Sequence, residues 1–134
     1  MLINLSNHPS ANWSESQLKA TTEQYGAVID LPFPAIAPDA DIDSVLALAE
    51  EYRDKCIEIF VANNCDFKAD CNAVHVMGEM TFTYNVVRYL SHKGIDIVAS
   101  TTERIAETDS QGQKTSVFKF KQFRSYHSIN EIPY

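Results

Sequence analysis

The stretch Ala73-Val74-His75-Val76-Met77-Gly78-Glu79-Met80-Thr81-Phe82-Thr83, read with the run Ile95-Asp96-Ile97-Val98-Ala99 that follows Gly94, decides the fold. A short apolar run ends at a glycine. From Glu79 to Lys93 the residues Phe82, Val86, Val87 and Leu90 recur on one helical face, and a second apolar run follows Gly94. Strand, helix, strand is the connection that parallel neighbours require, because a tight hairpin cannot join them. The N-terminal half repeats it. Leu2 to Leu5 reads as a strand ending near Ser6, and a helix follows, capped by Ser14 with Gln17 three residues later and stopping at Gly26. Trp13 before the cap and Leu18 after it are spaced as a hydrophobic staple. Ala27 to Leu31 is the second strand. The Pro32-Phe33-Pro34 segment can only be loop, and Ile42, Val45, Leu46, Ala49, Cys56 and Phe60 mark an amphipathic helix from Asp41 to Asn63, capped by Asp39 or Asp41.

Four strands alternating with three helices predict a Rossmann-like α/β unit, a parallel sheet of order 2-1-3-4 with right-handed crossover helices. After the fourth strand, expected to end at Ala99, the pattern changes. Glu103 to Thr108, a turn over residues 109–113, and Lys114 to Tyr126 predict a C-terminal antiparallel β-hairpin. Phe118 and Phe120 alternate with Lys119 and Lys121 but Phe123 breaks the phase, which predicts a bend or bulge near Gln122.

At 134 residues the chain is expected to form a single domain over 1–134. Eleven Lys and Arg against eighteen Asp and Glu leave a formal charge of -7, which argues against long nucleic acid as a partner. A small anion is still compatible, since a few N–H groups and hydroxyls can hold a phosphate inside an acidic shell. No basic leader precedes an apolar segment and no apolar run reaches the roughly 20 residues of a membrane span, so the expectation is a soluble cytoplasmic protein with no membrane partner. Cys56, Cys65 and Cys71 form no C-x-x-C pair and no Cys/His cluster, which reads as reduced thiols, with neither metal nor cofactor expected.

In open parallel sheets ligands bind beyond the carboxyl ends of the strands, where strand order reverses. With order 2-1-3-4 the reversal falls between strands one and three, so the loop Ser6-Asn7-His8-Pro9-Ser10 and the Gly78 turn should form opposite lips of one crevice. His8 is the candidate proton donor or acceptor there. The amides after Gly78 would cradle an anion, with Thr81 and Thr83 adding hydroxyls and Glu79 opposing it if turned inward. Ser100, Thr101, Thr102 and Arg104 are expected directly after the fourth strand, where hydroxyls and a guanidinium suit phosphate or transition-state charge. His75 and His92 read as structural, and Lys119, Lys121 and Arg124 as solvated edge protection. Neither G-x-G-x-x-G nor a P-loop motif occurs.

The opening Leu2-Ile3-Asn4-Leu5-Ser6-Asn7-His8-Pro9-Ser10, the segment Val74 to Thr83 and the run Val98-Ala99-Ser100-Thr101-Thr102-Glu103-Arg104 resemble the small stand-alone CRISPR-associated Rossmann-fold (CARF-related) proteins of type III CRISPR systems. That resemblance implies a homodimer binding a cyclic oligoadenylate across its two-fold axis, and in some members metal-independent cleavage of the ring. Carried over by position, Ser6, Asn7, His8 and Ser10 match the first contact loop, and Gly78, Thr81 and Thr83 the second. The chain lacks the larger core and effector domain of the sensors, which turns the expectation toward a ring nuclease that removes the second messenger. In such a reaction each ribose 2′-OH attacks its own phosphodiester, with His8, Arg104 and Thr101 in the catalytic roles and Ser100 among the binding hydroxyls. Sequestration without cleavage, or an assembly module with the Phe-rich hairpin as its surface, are the alternatives.

Overall fold

The computed structural model describes residues 1–127. Its elements are β1 (Leu2–Ser6), a 3-10 turn (Ser10–Asn12), α1 (Glu15–Tyr25), β2 (Val28–Asp30), α2 (Ile42–Ala62), β3 (Ala73–Met77), α3 (Met80–His92), β4 (Asp96–Thr108) and β5 (Lys114–Ser125). The sheet order is β2-β1-β3-β4-β5, parallel throughout except for the antiparallel β4–β5 pair. The order expected for the first four strands is the order found, with the reversal between β1 and β3.

Local chemistry explains the element ends. Ser14 Oγ accepts the Gln17 N–H and the Asp41 carboxylate accepts the Ser44 N–H, each satisfying an amide that the first helical turn leaves open. Gly26, at φ 84°, closes α1 in a conformation that a side chain would resist. The staple is not made as expected. Trp13 is buried against the rings of His75 and Phe123, while Leu18 stays 38% exposed.

Alternation along the strands sorts the sheet into two faces. Ile3, Leu5, Val74, Val76 and Ile97 point to one side and form the main core with Val45, Ala49, Cys56 and Phe60 of α2 and Phe82, Val86 and Leu90 of α3. Burial pushes the Cys56 thiol up to about 12, so it packs as a small apolar group. Leu2, Ala73, Val98 and Phe123 face the other way and meet Trp13, with Tyr25 of α1 at their edge. Between these apolar residues and the carboxyl edge, that second face turns polar.

The fourth strand differs from its expected length. It does not end at Ala99 but runs unbroken to Thr108, because pairing with β5 from Val98↔Ser125 to Thr108↔Lys114 gives its backbone groups partners after the β3 ladder stops at His75↔Val98. The hairpin is thus an extension of the sheet edge beyond its parallel core. The register shift opposite Thr101 and Thr102, where Gln122 and Phe120 are the partners, is the bulge expected near Gln122.

Gly78 carries a packing constraint. A Cβ built there would lie 2.2 Å from the Phe33 ring, which itself stands edge-on to Phe82 at 5.1 Å between centroids. Gly78→Ala is therefore expected to lower stability by about 1 to 3 kcal/mol through overpacking. In a Phe33→Ala background the same change should cost much less, and a double-mutant cycle by denaturant unfolding measures that coupling.

Candidate functional site

The second sheet face carries a row of polar side chains in register. Asp30, Asn4 and His75 sit side by side on β2, β1 and β3, and Ser100 follows on β4 two residues past the partner of His75. Asn4 Nδ2 donates to Asp30 Oδ1 at 2.8 Å and to the His8 carbonyl at 2.8 Å. Asn4 Oδ1 accepts from Ser6 Oγ at 2.7 Å and faces His75 Nδ1 at 2.9 Å. His75 Nε2 lies 3.1 Å from Ser100 Oγ.

Those contacts assign the protons. Both partners of Asn4 Nδ2 are acceptors, which fixes the amide orientation, so the Asn4 oxygen faces His75 and Nδ1 must carry the hydrogen. Burial, and then the nearby His8 charge, push His75 down to about 4, so the ring is neutral near pH 7 and Nε2 keeps a lone pair. The Ser100 hydroxyl then donates to Nε2, a stronger acceptor than the Met77 sulfur 3.1 Å away on its other side.

His75 and Ser100 form the inner wall of a cavity of about 490 Å³ at the carboxyl edge. The wall continues through His8, Asn12 and Trp13 to Ser14 and Gln17, and the hairpin closes it with Thr102, Phe118 and Phe120. Among the described residues no Lys, Arg, Asp or Glu lines it. The His8 carbonyl accepts from Asn4 Nδ2 and from Trp13 Nε1, which anchors the loop while the exposed imidazole turns to the cavity.

The remaining expected residues fall elsewhere, and the expected single crevice is corrected. Ser6 and Asn7 line a separate depression of about 360 Å³ beside Asp30 and Phe33, and Ser10 binds the Asp30 carboxylate through both N–H and Oγ, which clamps the loop to β2. Gly78 and Thr83 line a third depression of about 370 Å³ with Met80, Tyr84 and Tyr126. His8 and Gly78 therefore line different depressions, with Met77 bordering both.

The expected anion cradle on α3 is occupied by the chain's own carboxylate. Glu79 caps the helix, its carboxyl held below the usual range by the Phe82 and Thr81 amides and the Thr81 hydroxyl. Thr81 is thereby turned to Glu79, and the amides offered to an anion are already bonded to one.

Thr101 and Arg104 are not on a loop after the strand but inside β4. Alternation puts Thr101 on the face opposite Ser100, where its hydroxyl donates to the Gln122 carbonyl. Arg104 shares the face of Ser100 and Thr102, one step further out opposite Phe118, and its Nε and Nη2 donate to Ser116 Oγ at 3.0 and 2.9 Å. Lys121 pairs with Glu103 at 2.7 Å, in keeping with a solvated edge.

Among the contributors that escaped the sequence are His75, read as structural, Trp13, read as a staple, and Asn4, read only as strand. The signal was available in parity. Asn4 and Ser6 alternate with Ile3 and Leu5, and His75 alternates with Val74 and Val76, so polar groups on neighbouring strands share one face.

A neutral buried His75 makes stability depend on pH. Its folded value near 4 lies below the ordinary 6.5, so between those values the unfolded chain binds more protons. Stability is full above pH 6.5 and falls as pH drops toward 4, by roughly 3 kcal/mol in all. Urea unfolding across this window should show the loss, and His75→Gln should flatten it.

Among the described residues no three His, Cys, Asp or Glu side chains are placed to hold a metal ion, and no helix is long and apolar enough to cross a membrane. Nothing among curated proteins or solved structures matches the chain. The model of the family described as the Uncharacterized protein MJ1673 family matches residues 1–124, from β1 to all but the last residue of β5. With nearly its whole length matched, the chain belongs to the MJ1673 family.

Proposed function

We propose that the chain binds a small nucleotide of the cyclic oligoadenylate class in the cavity between the β1 loop and the hairpin, and cleaves a phosphodiester of that ligand without a metal. The observation that carries this reading is the lining. Trp13, Phe118 and Phe120 offer aromatic surface for a base, and His8, Asn12, Gln17 and Thr102 offer hydrogen bonds around it, at the strand-order reversal where α/β sheets bind ligands. A volume of about 490 Å³ suits one nucleotide unit.

Phosphate is assigned to the rim, to the His8 imidazole and to Arg104 on the same face of the hairpin, since no Lys or Arg among the described residues lines the cavity itself. His8 is the group to protonate the leaving 5′-oxygen. A ring of several adenylates exceeds one cavity, so the reading includes a homodimer with two cavities on one ligand. Phe118, which lines the cavity yet is 66% exposed, supports a second copy covering it.

Incubation with a panel of cyclic oligoadenylates, with and without EDTA, followed by chromatography of bound and free nucleotide, tests the reading. Linear product with EDTA present is expected. Intact bound ring would reduce the function to sequestration, and no binding would leave an assembly module.

Loss of a stacking partner costs about 1 to 3 kcal/mol, so Phe120→Ala should weaken binding by roughly ten- to a hundredfold. Arg104→Ala should weaken it by about tenfold or more through loss of a charge-assisted contact. Lys119→Ala, on the opposite face of β5, should leave it near the wild-type value. Affinities of the three variants measured by calorimetry check the assignment.

A further inference from the structure

We propose that Ser100 is a nucleophile, with His75 as its base and Asn4 as the positioning residue that holds the base. The inference takes its substrate class, a phosphodiester, from the nucleotide reading, but replaces the ribose 2′-OH as the attacking group. Three observations converge on Ser100 Oγ. The Ser100–His75–Asn4 chain of 3.1 and 2.9 Å contacts has the order of a nucleophile, a base and an orienting amide. Asn4 has all four of its hydrogen-bonding positions filled, so it fixes one ring orientation and one tautomer, the one that leaves Nε2 free to accept. Ser100, unlike the buried His75 and Asn4, is only half-buried and lines the cavity.

A donor for developing charge stands at the same residue. The β3 ladder stops at His75↔Val98, and among the described residues the Ser100 N–H beyond it meets the Met77 sulfur, at 3.4 Å. Sulfur is a weak acceptor that a phosphoryl oxygen can displace. A row needed only to satisfy buried groups could have ended at a side chain facing away from the cavity.

The chemistry balances without a co-reactant other than water. Ser100 Oγ attacks phosphorus as its proton passes to His75 Nε2, the Oγ–P bond forms, and the P–O5′ bond breaks as His8 gives a proton to the 5′-oxygen. Water then attacks the seryl phosphodiester and gives a proton back to His8, a new O–P bond forms, the P–Oγ bond breaks, and His75 returns its proton to the Ser100 oxygen. The product is a linear chain ending in a 3′-phosphate, whereas attack by the 2′-OH leaves a 2′,3′-cyclic phosphate.

The test is reaction of the full chain with a fluorophosphonate, an organophosphorus electrophile that needs no nucleotide, followed by peptide mapping. One adduct per chain at Ser100 is expected, absent in Ser100→Ala and formed about a hundredfold more slowly or less in His75→Gln. No adduct, an adduct on another residue, or an unchanged rate in folded His75→Gln overturns the proposal. If His75→Gln does not fold, the pH profile of the wild-type reaction supplies the second measurement: labelling of Ser100 must fall as pH drops toward 4, where the His75 ring takes up a proton, and a rate that does not change between pH 7 and 4 also overturns the proposal. Cyclic oligoadenylate run in parallel separates the two readings. An adduct on Ser100 without ring binding removes the nucleotide and keeps the nucleophile, and cleavage by Ser100→Ala at the wild-type rate with 2′,3′-cyclic ends does the reverse.

Discussion

Burying an amide and an imidazole in the middle of a sheet face is costly unless each is paired, and this requirement organises much of the molecule. Asn4 is 1% and His75 2% exposed. Their mutual contact holds only when β1 and β3 are in the observed register, and the Asn4 contact with Asp30 does the same for β2. A slip by one residue would send Asn4 and His75 into the apolar layer under α2 and α3 and bring Ile3 and Val74 out. The same Asn4 amide holds the His8 carbonyl, so strand register and the path of the first loop are set by one side chain.

The two faces differ in composition. The face under α2 and α3 is apolar across the parallel strands and includes the largest fully buried side chains, Phe60 and Phe82. The face under α1 has a smaller apolar group around Leu2, Trp13 and Phe123, and beyond it the polar row opens into the cavity. Because α1 is short and the helical cover ends there, the aromatic wall comes from the hairpin. Phe123 is paired through space with Trp13, Tyr25, His75 and Phe120, and so joins the sheet edge to the polar row.

Electrostatics favours the α1 side over α3 for the candidate site. A helix N-terminus after a parallel strand is a natural anion site, but Glu79 fills it with a carboxylate from the chain itself. What the α1 side offers is directional: uncharged hydrogen bonds, aromatic faces and a neutral imidazole with a defined tautomer. Such groups select a ligand by shape and bonding more than by charge.

Elements with a local cause were legible in the sequence. Ser14 and Asp41 cap helices through their own side chains, Gly26 ends one by its backbone freedom, and the apolar spacing of α2 and α3 follows from 3.6 residues per turn. The parallel order followed from the alternation of elements. The residues of the site were legible only in part: His8 and Ser100 were marked by their place after strands, and both face the cavity. The rest depended on groups distant in the chain. Thr101 and Arg104 moved from a loop into β4 because β5 arrived to pair with it, Gly78 answered to Phe33 rather than to an anion, and His75 acquired a defined tautomer only when Asn4, 71 residues earlier, fixed its proton. Capping and periodicity act within a few residues and can be read along the chain, whereas a hydrogen-bonded row across four strands exists only once the strands lie side by side.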